Sequence, residues 1–325
     1  VNRRAFVVGG ACAAIASVAS RSPFGSARAD VARAGLAQDL DVRDIRVGGD
    51  LSRRFTLCIP KHLLPHERVP LLVLLHGLGE TKDERLGAFA WVERYGLCTS
   101  YDRARRPPLA RTSARIDLTD ERITEINAEL ALRPFRGLVI ACPYMPDLQI
   151  GSATELDRYA SWISDVVIPR ARREAPVLDD ARHTHIDGCS LGGHFSLEVF
   201  LRRPEMFSAW GGVQTAIGEG AATAYADRIA RVLTKSGPRA LHIETSTGDA
   251  FRRGNEALSA ALTKRAVAHD FRISPGPHDQ AWLREAGTLE MLLWHDALPR
   301  IAKRIAPNAN APANANTPAA PPAFR

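Results

Sequence analysis

The run Gly188-Cys189-Ser190-Leu191-Gly192-Gly193 follows a strand-like stretch, His183-Thr184-His185-Ile186-Asp187, and precedes a helix-like stretch from Phe195 to Arg203. No other part of the chain constrains the fold as tightly. G-x-S-x-G between a strand and a helix predicts a sharp turn that holds a serine in strained dihedrals, with its hydroxyl above the end of a sheet. The residues flanking such a turn must be small, which Gly188 and Gly192 are. The helix N-terminus behind Ser190 favours developing negative charge.

A nucleophilic serine needs a base and an acid, and the downstream sequence offers both at strand ends. Arg239 to Thr245 reads as a strand, left by the turn Ser246-Thr247-Gly248-Asp249. A helical stretch carrying Leu258, Ala261, Leu262 and Arg265 follows, then a short strand from His269 to Ile273 that runs into Ser274-Pro275-Gly276-Pro277-His278-Asp279. Ser190, Asp249 and His278 therefore occur in the order nucleophile, acid, base. The C-terminal ends of parallel strands meet along one edge of a sheet, so three residues far apart in sequence can converge there. Asp270, inside the last strand, and Asp279, directly after the base, are less well placed for the acid.

Upstream, Val69 to Leu75 is a continuous apolar run, as expected for a strand buried on both faces. It ends in His76-Gly77-Leu78-Gly79, whose glycines let backbone approach a substrate oxygen closely. The backbone N–H groups of Leu78 and Leu191 are the expected oxyanion-hole donors. His76 is read as packing and orienting this loop. Together with Trp282 it is carried as a candidate substrate contact.

These segments resemble the esterase family of α/β-hydrolases that includes S-formylglutathione hydrolases of the esterase D type, feruloyl and acetyl-xylan esterases, and mycolyltransferases. The resemblance rests on L-L-H-G-L-G at 74–79, Pro143-Tyr144 after a strand, G-C-S-L-G-G at 188–193 and P-G-P-H-D-Q-A-W at 275–282, and spans about residues 50–300. It implies an α/β-hydrolase fold, with a mostly parallel central sheet and helices on both faces. It also implies that loop 76–79 and Leu191 supply the oxyanion hole. Two features depart from the family pattern: Cys189 before the nucleophile, and the long segment after His76.

The ends of the chain read differently from its middle. Asn2-Arg3-Arg4-Ala5-Phe6-Val7-Val8, an alanine-rich apolar stretch from Val7 to Ala19 and Ala27-Arg28-Ala29 resemble a twin-arginine export signal with its cleavage site. Residues 1–29 are thus expected to be a signal peptide, too short and weakly apolar for a membrane span. They hold four arginines and no acid, and so supply more than half of the formal charge of +7. Residues 30–304 are expected to be one catalytic domain, in which 83–136 is the segment expected to govern substrate choice. Its charged, proline-bearing part reads as a cap insertion over the cleft, and the stretch from Thr119 to Leu130 as either part of that cap or an ordinary helix packed on the sheet. The Pro/Asn/Ala-rich tail, 305–325, is expected to be disordered.

No lysine- or arginine-rich stripe with interleaved aromatics marks a nucleic-acid partner. The clusters Arg103-Arg105-Arg106 and Arg170-Arg172-Arg173 read as solvated faces. His183 and His185 share a strand face without a third ligand at zinc-site spacing, and no phosphate loop or dinucleotide fingerprint is present. Neither metal nor cofactor is therefore expected. Cys58, Cys98, Cys142 and Cys189 read most simply as buried free thiols, although export would permit a disulfide that the sequence does not assign. The sequence as a whole points to an exported serine esterase acting on a small-molecule, carbohydrate or lipid ester. An acyltransferase to a sugar or lipid hydroxyl, or a non-catalytic binding module on the same scaffold, are the alternatives.

Overall fold

The computed structural model describes residues 39–48 and 54–299. The expected signal peptide and tail lie outside the described residues. An eight-stranded sheet runs through the molecule in the order β1-β2-β4-β3-β5-β6-β7-β8. β1 (Leu40–Arg46) and β2 (Arg54–Pro60) are antiparallel, and β2 joins β4 (Val139–Pro143) antiparallel. From β4 onward every pairing is parallel, through β3 (Leu71–Leu75), β5 (Thr184–Gly188), β6 (Ala209–Val213), β7 (Ala240–Gly248) and β8 (Asp270–Pro277).

The apolar run that suggested a doubly covered strand is β3, and all five of its residues are buried. Because side chains alternate across a strand, Leu71, Val73 and Leu75 enter one core and Leu72 and Leu74 the other. The first core lies under helices α4 (Ala153–Trp162), α5 (Ile168–Glu174), α6 (Leu191–Arg202), α7 (Glu219–Ser236) and α8 (Arg252–Thr263). The second lies under α1 (Glu84–Glu93), α2 (Leu97–Arg105), α3 (Asp120–Leu132) and α9 (Thr288–Ala297). Helices thus cover both faces, as the sequence implied. No helix among the described residues is long and apolar enough to cross a membrane.

Two helix starts illustrate local control. Thr119 caps α3 by accepting the Arg122 N–H at 3.2 Å, and Asp120 and Glu121 occupy the first turn, where the helix dipole favours them. The helix after β4 is capped by Ser152, which accepts the Glu155 N–H at 3.3 Å. Between α4 and α5 the chain widens into a π turn, Ile163–Val167. Pro169 follows at the start of α5, and the wider turn accommodates its missing N–H and bulky ring.

Segment 83–136 forms most of the second helical layer instead of a separate cap. Trp91, Tyr95, Tyr101, Ile126 and Leu130 are all buried in it. The connection between α2 and α3 stays mostly at the surface. Arg103 and Arg105 are anchors and not a solvated face. Arg103 reaches the Glu285 carbonyl at 2.9 Å and Arg105 the Phe135 carbonyl at 2.9 Å.

Candidate active site

The turn after β5 is as tight as its glycines demand. Ser190 has φ +55° and ψ −120°, a conformation costly for a residue with a Cβ. A side chain on Gly192 would run into the carbonyl oxygens of Leu75 and His76, and one on Gly188 into the backbone of Gly192. The turn is pinned by Ser190 N–H to the Val213 carbonyl and Ala216 N–H to the Ser190 carbonyl, each at 2.9 Å. On the other side Cys189 N–H donates to the Leu75 carbonyl at 3.2 Å, so strain at Ser190 is held from β6 and from β3.

The structure brings Ser190, His278 and Asp249 together. His278 Nε2 lies 3.0 Å from Ser190 Oγ, and His278 Nδ1 lies 2.7 Å from Asp249 Oδ1. Asp249 directly follows β7, and His278 directly follows β8, which extends through Pro277 beyond the expected end at Ile273. The Asp249 side chain is fully buried. Its Oδ1 also accepts the Phe251 N–H at 2.9 Å, and its Oδ2 accepts the Thr245 hydroxyl at 2.6 Å. A carboxylate accepts only, so Nδ1 of His278 carries the proton and Nε2 is free to accept from the serine. Phe251 sets its ring edge-on to the imidazole, 5.6 Å between centroids. Asp279 points elsewhere: it caps the turn Gln280–Trp282 by accepting the Trp282 N–H at 2.7 Å and faces Arg115.

Leu78 and Leu191 begin a 3₁₀ turn (Leu78–Glu80) and α6 respectively. First-turn amides have no partner within their own helix. Leu75 pairs with Gly188 across β3 and β5, so both starts lie at adjoining strand ends. A Cβ on Gly77 would stand 3.8 Å from that of Ser190. Cys189 is buried, and burial pushes its thiol well above the ordinary range. It stays protonated and does not compete as a nucleophile.

Neither candidate substrate contact lines a substrate site. His76 and Trp282 are fully buried and offer a substrate no surface. Trp282 donates its indole N–H to the Pro275 carbonyl at 3.0 Å and to Ser274 Oγ at 3.1 Å, bracing the chain before His278. His76 Nε2 accepts the Met145 N–H at 2.9 Å, which assigns the proton to Nδ1, 2.9 Å from the Gly77 carbonyl. Burial pushes His76 down to about 4, so it is neutral at neutral pH. The peptide plane it grips is the one carrying the Leu78 N–H.

Sequence reasoning missed Gln214. It has φ +48°, is buried, and donates to Ser246 Oγ at 2.7 Å and the Pro277 carbonyl at 3.0 Å. It thereby ties the ends of β6, β7 and β8. Its signal was a long polar side chain closing the apolar strand Ala209–Val213. His183 and His185 have separate jobs. His183 Nδ1 faces Asp180 at 2.7 Å, while His185 stacks on His295 with centroids 5.2 Å apart. The four cysteines among the described residues are free.

No family model matches the chain, and no curated protein does. Solved structures do. A ferulic acid esterase superposes with a TM-score of 0.59 at 18% identity, covering 79% of this chain and 98% of that one. An S-formylglutathione hydrolase from Staphylococcus aureus gives 0.54 at 13% identity, covering 79% and 96%. A ferulic acid esterase from the anaerobic fungus Anaeromyces mucronatus gives 0.52 at 15%, covering 80% and 91%. At such identities the likeness is one of architecture, and it agrees with the sheet order, the helical layers and the turn after β5: this chain has the α/β-hydrolase fold.

Proposed function

We propose that this protein is a serine esterase that hydrolyses small carboxylic esters through an acyl-enzyme. The observation that carries the reading is the hydrogen-bonded line Asp249–His278–Ser190, 2.7 and 3.0 Å long, ending on a serine at φ +55°. In the first half-reaction Ser190 Oγ attacks the acyl carbonyl while His278 Nε2 takes the hydroxyl proton. Asp249 holds the imidazole in that tautomer and stabilises the imidazolium. The N–H groups of Leu78 and Leu191 bind the tetrahedral oxyanion. Collapse returns the proton from His278 to the departing alkoxide and leaves the acyl group on Ser190. In the second half-reaction His278 deprotonates water as it attacks the acyl-enzyme, and collapse returns that proton from His278 to Ser190 Oγ, which releases the acid and restores the serine and the neutral base.

The similar structures, a ferulic acid esterase and an S-formylglutathione hydrolase, the latter named for a thioester, support an acyl ester or thioester substrate. Incubation with a fluorophosphonate probe, beside p-nitrophenyl esters of graded chain length, tests the reading. Wild type labels at Ser190 and turns over at least the short esters. A folded wild type that does neither refutes it. We also propose export, on the strength of Arg3-Arg4, the apolar stretch after them and Ala27-Arg28-Ala29. Replacing both arginines by lysine keeps the charge but loses the planar fork, and the precursor then stays unprocessed in the cytoplasm. Normal export of that variant would refute the twin-arginine route.

A further inference from the structure

Glu80 is an acid buried in the active-site wall that the mechanism above does not use; it is only 2% exposed. It belongs to the 3₁₀ turn that starts at Leu78. Tyr95, between α1 and α2, donates its hydroxyl to Glu80 and accepts the Gly77 N–H on the same oxygen at 3.2 Å. Arg94 reaches Glu80 Oε1 at 3.2 Å, and Gln280 reaches the same oxygen at 3.5 Å. Gln280 stands two residues after His278. The carboxylate therefore joins the turn carrying one oxyanion donor to the loop carrying the base. Tyr95 is itself held, since Thr288 Oγ1 donates to its carbonyl at 2.7 Å.

A buried carboxylate is costly unless its oxygens are satisfied, and Tyr95, Arg94 and Gln280 satisfy this one. Gly77 is gripped on both sides: its N–H by Tyr95, and its carbonyl by His76 at 2.9 Å. In a trans peptide the carbonyl and the following N–H point in opposite directions. Fixing the Gly77 carbonyl thus fixes the aim of the Leu78 N–H. We infer that Glu80 and Tyr95 are positioning residues that preorganise the oxyanion hole and hold it in register with the histidine loop. This rests on the esterase reading, with Ser190 as nucleophile.

Tyr95→Phe removes the phenol oxygen while keeping the ring in its T-shaped contact with Trp91. Glu80→Gln keeps an acceptor for Tyr95 but turns an amide toward Arg94 or Gln280. Each variant is titrated with a fluorophosphonate to count functional sites. kcat and KM for p-nitrophenyl acetate are then measured per labelled site, together with Ki for phenylboronic acid, which mimics the tetrahedral state. Losing a direct oxyanion donor costs about 10²–10³-fold, so loss of its support in Tyr95→Phe is expected to lower kcat by roughly 10–100-fold. KM stays within about twofold, and Ki for the boronic acid rises in step with the fall in kcat. Glu80→Gln gives a smaller loss of the same kind, and Gln280→Ala decides the matter if Tyr95→Phe does not fold. Unchanged kcat per labelled site and unchanged Ki in the folded variants, whatever happens to Tm, would overturn the inference and leave only a packing role. A wild type that neither labels nor turns over ester would instead defeat the esterase reading beneath it.

Discussion

Replacing Asp249 by asparagine separates two contributions that the acid makes. In the folded protein Asp249 Oδ1 accepts from both His278 Nδ1, at 2.7 Å, and the Phe251 N–H, at 2.9 Å, whereas Oδ2 accepts only the Thr245 hydroxyl at 2.6 Å. A backbone N–H cannot reverse its polarity. A hydroxyl can rotate from donor to acceptor. The side-chain amide in Asp249→Asn is therefore expected to put its oxygen toward Phe251 and His278 and its NH₂ toward Thr245. His278 then keeps its proton on Nδ1, and what is lost is the charge. Two unit charges about 4 Å apart at an effective dielectric near 20 attract by about 4 kcal/mol, so kcat is expected to fall by about 10³-fold. Asp249→Ala, which also loses the acceptor that sets the tautomer, is expected to fall further, toward about 10⁴-fold. The assay is kcat on a p-nitrophenyl ester combined with ¹⁵N-resolved imidazole shifts of His278 in Asp249→Asn. A fall as deep as that of the alanine variant, with the His278 proton on Nε2, would refute the reasoning.

Other outcomes follow from single features of the site. Ser190→Ala is expected to remove nearly all turnover from a folded protein, and Ser190→Gly, which accepts φ +55° without strain, to be about 1 kcal/mol more stable than Ser190→Ala in urea unfolding. His76 is neutral in the fold down to about 4, whereas in the unfolded chain it takes up a proton near 6.5. Its contribution is therefore intact above pH 6.5 and lost as pH falls toward 4. Over that window wild type should lose about 1.4 kcal/mol more per pH unit than His76→Gln in denaturant titrations; equal slopes would contradict this. Glu285→Ala removes the counter-charge of the Arg103 guanidinium, whose side chain is only 10% exposed, and leaves it only the Glu285 and Ala110 carbonyls; the change is expected to cost about 3–5 kcal/mol. A loss below about 1 kcal/mol in urea unfolding would show that Arg103 finds solvent.

Much of the frame was legible because geometry leaves few residue types free. A serine forced to φ +55° needs bare glycines where Leu75, His76 and the next helix crowd it, and that need is written in six consecutive letters. Asp249 and His278 were legible because each stands where a strand leaves the sheet. The length of β8 was not. Pro275 and Pro277 suggested a loop, yet both belong to the strand. β8 pairs only with β7 at the end of the sheet, and an edge strand can lack an N–H on its free side without losing a ladder bond.

What stayed unread shares another property: its meaning lies in distant partners. Glu80 meets Gln280 from 200 positions away, and nothing near residue 80 distinguishes a buried hub from a surface acid. Glu285 is similar. It accepts the Thr112 N–H and the Ser113 hydroxyl, each at 3.1 Å, and pairs with Arg103 at 3.4 Å. Arg115 adds a second stitch, to Asp117 and Asp279, and Gly276 at φ +121° leaves no room for a side chain beside Asp117. The connection between α2 and α3 is thus bonded to Asp279, directly after His278, and to Glu285 in the turn that follows, and Asp117 packs against Gly276 just before the histidine. A cap hinged over a cleft would need few such bonds, because it has to open. Bonds this numerous make the connection a brace for the histidine loop, and they explain why a proline-bearing, charged stretch can belong to the catalytic framework although its composition reads as a surface insertion.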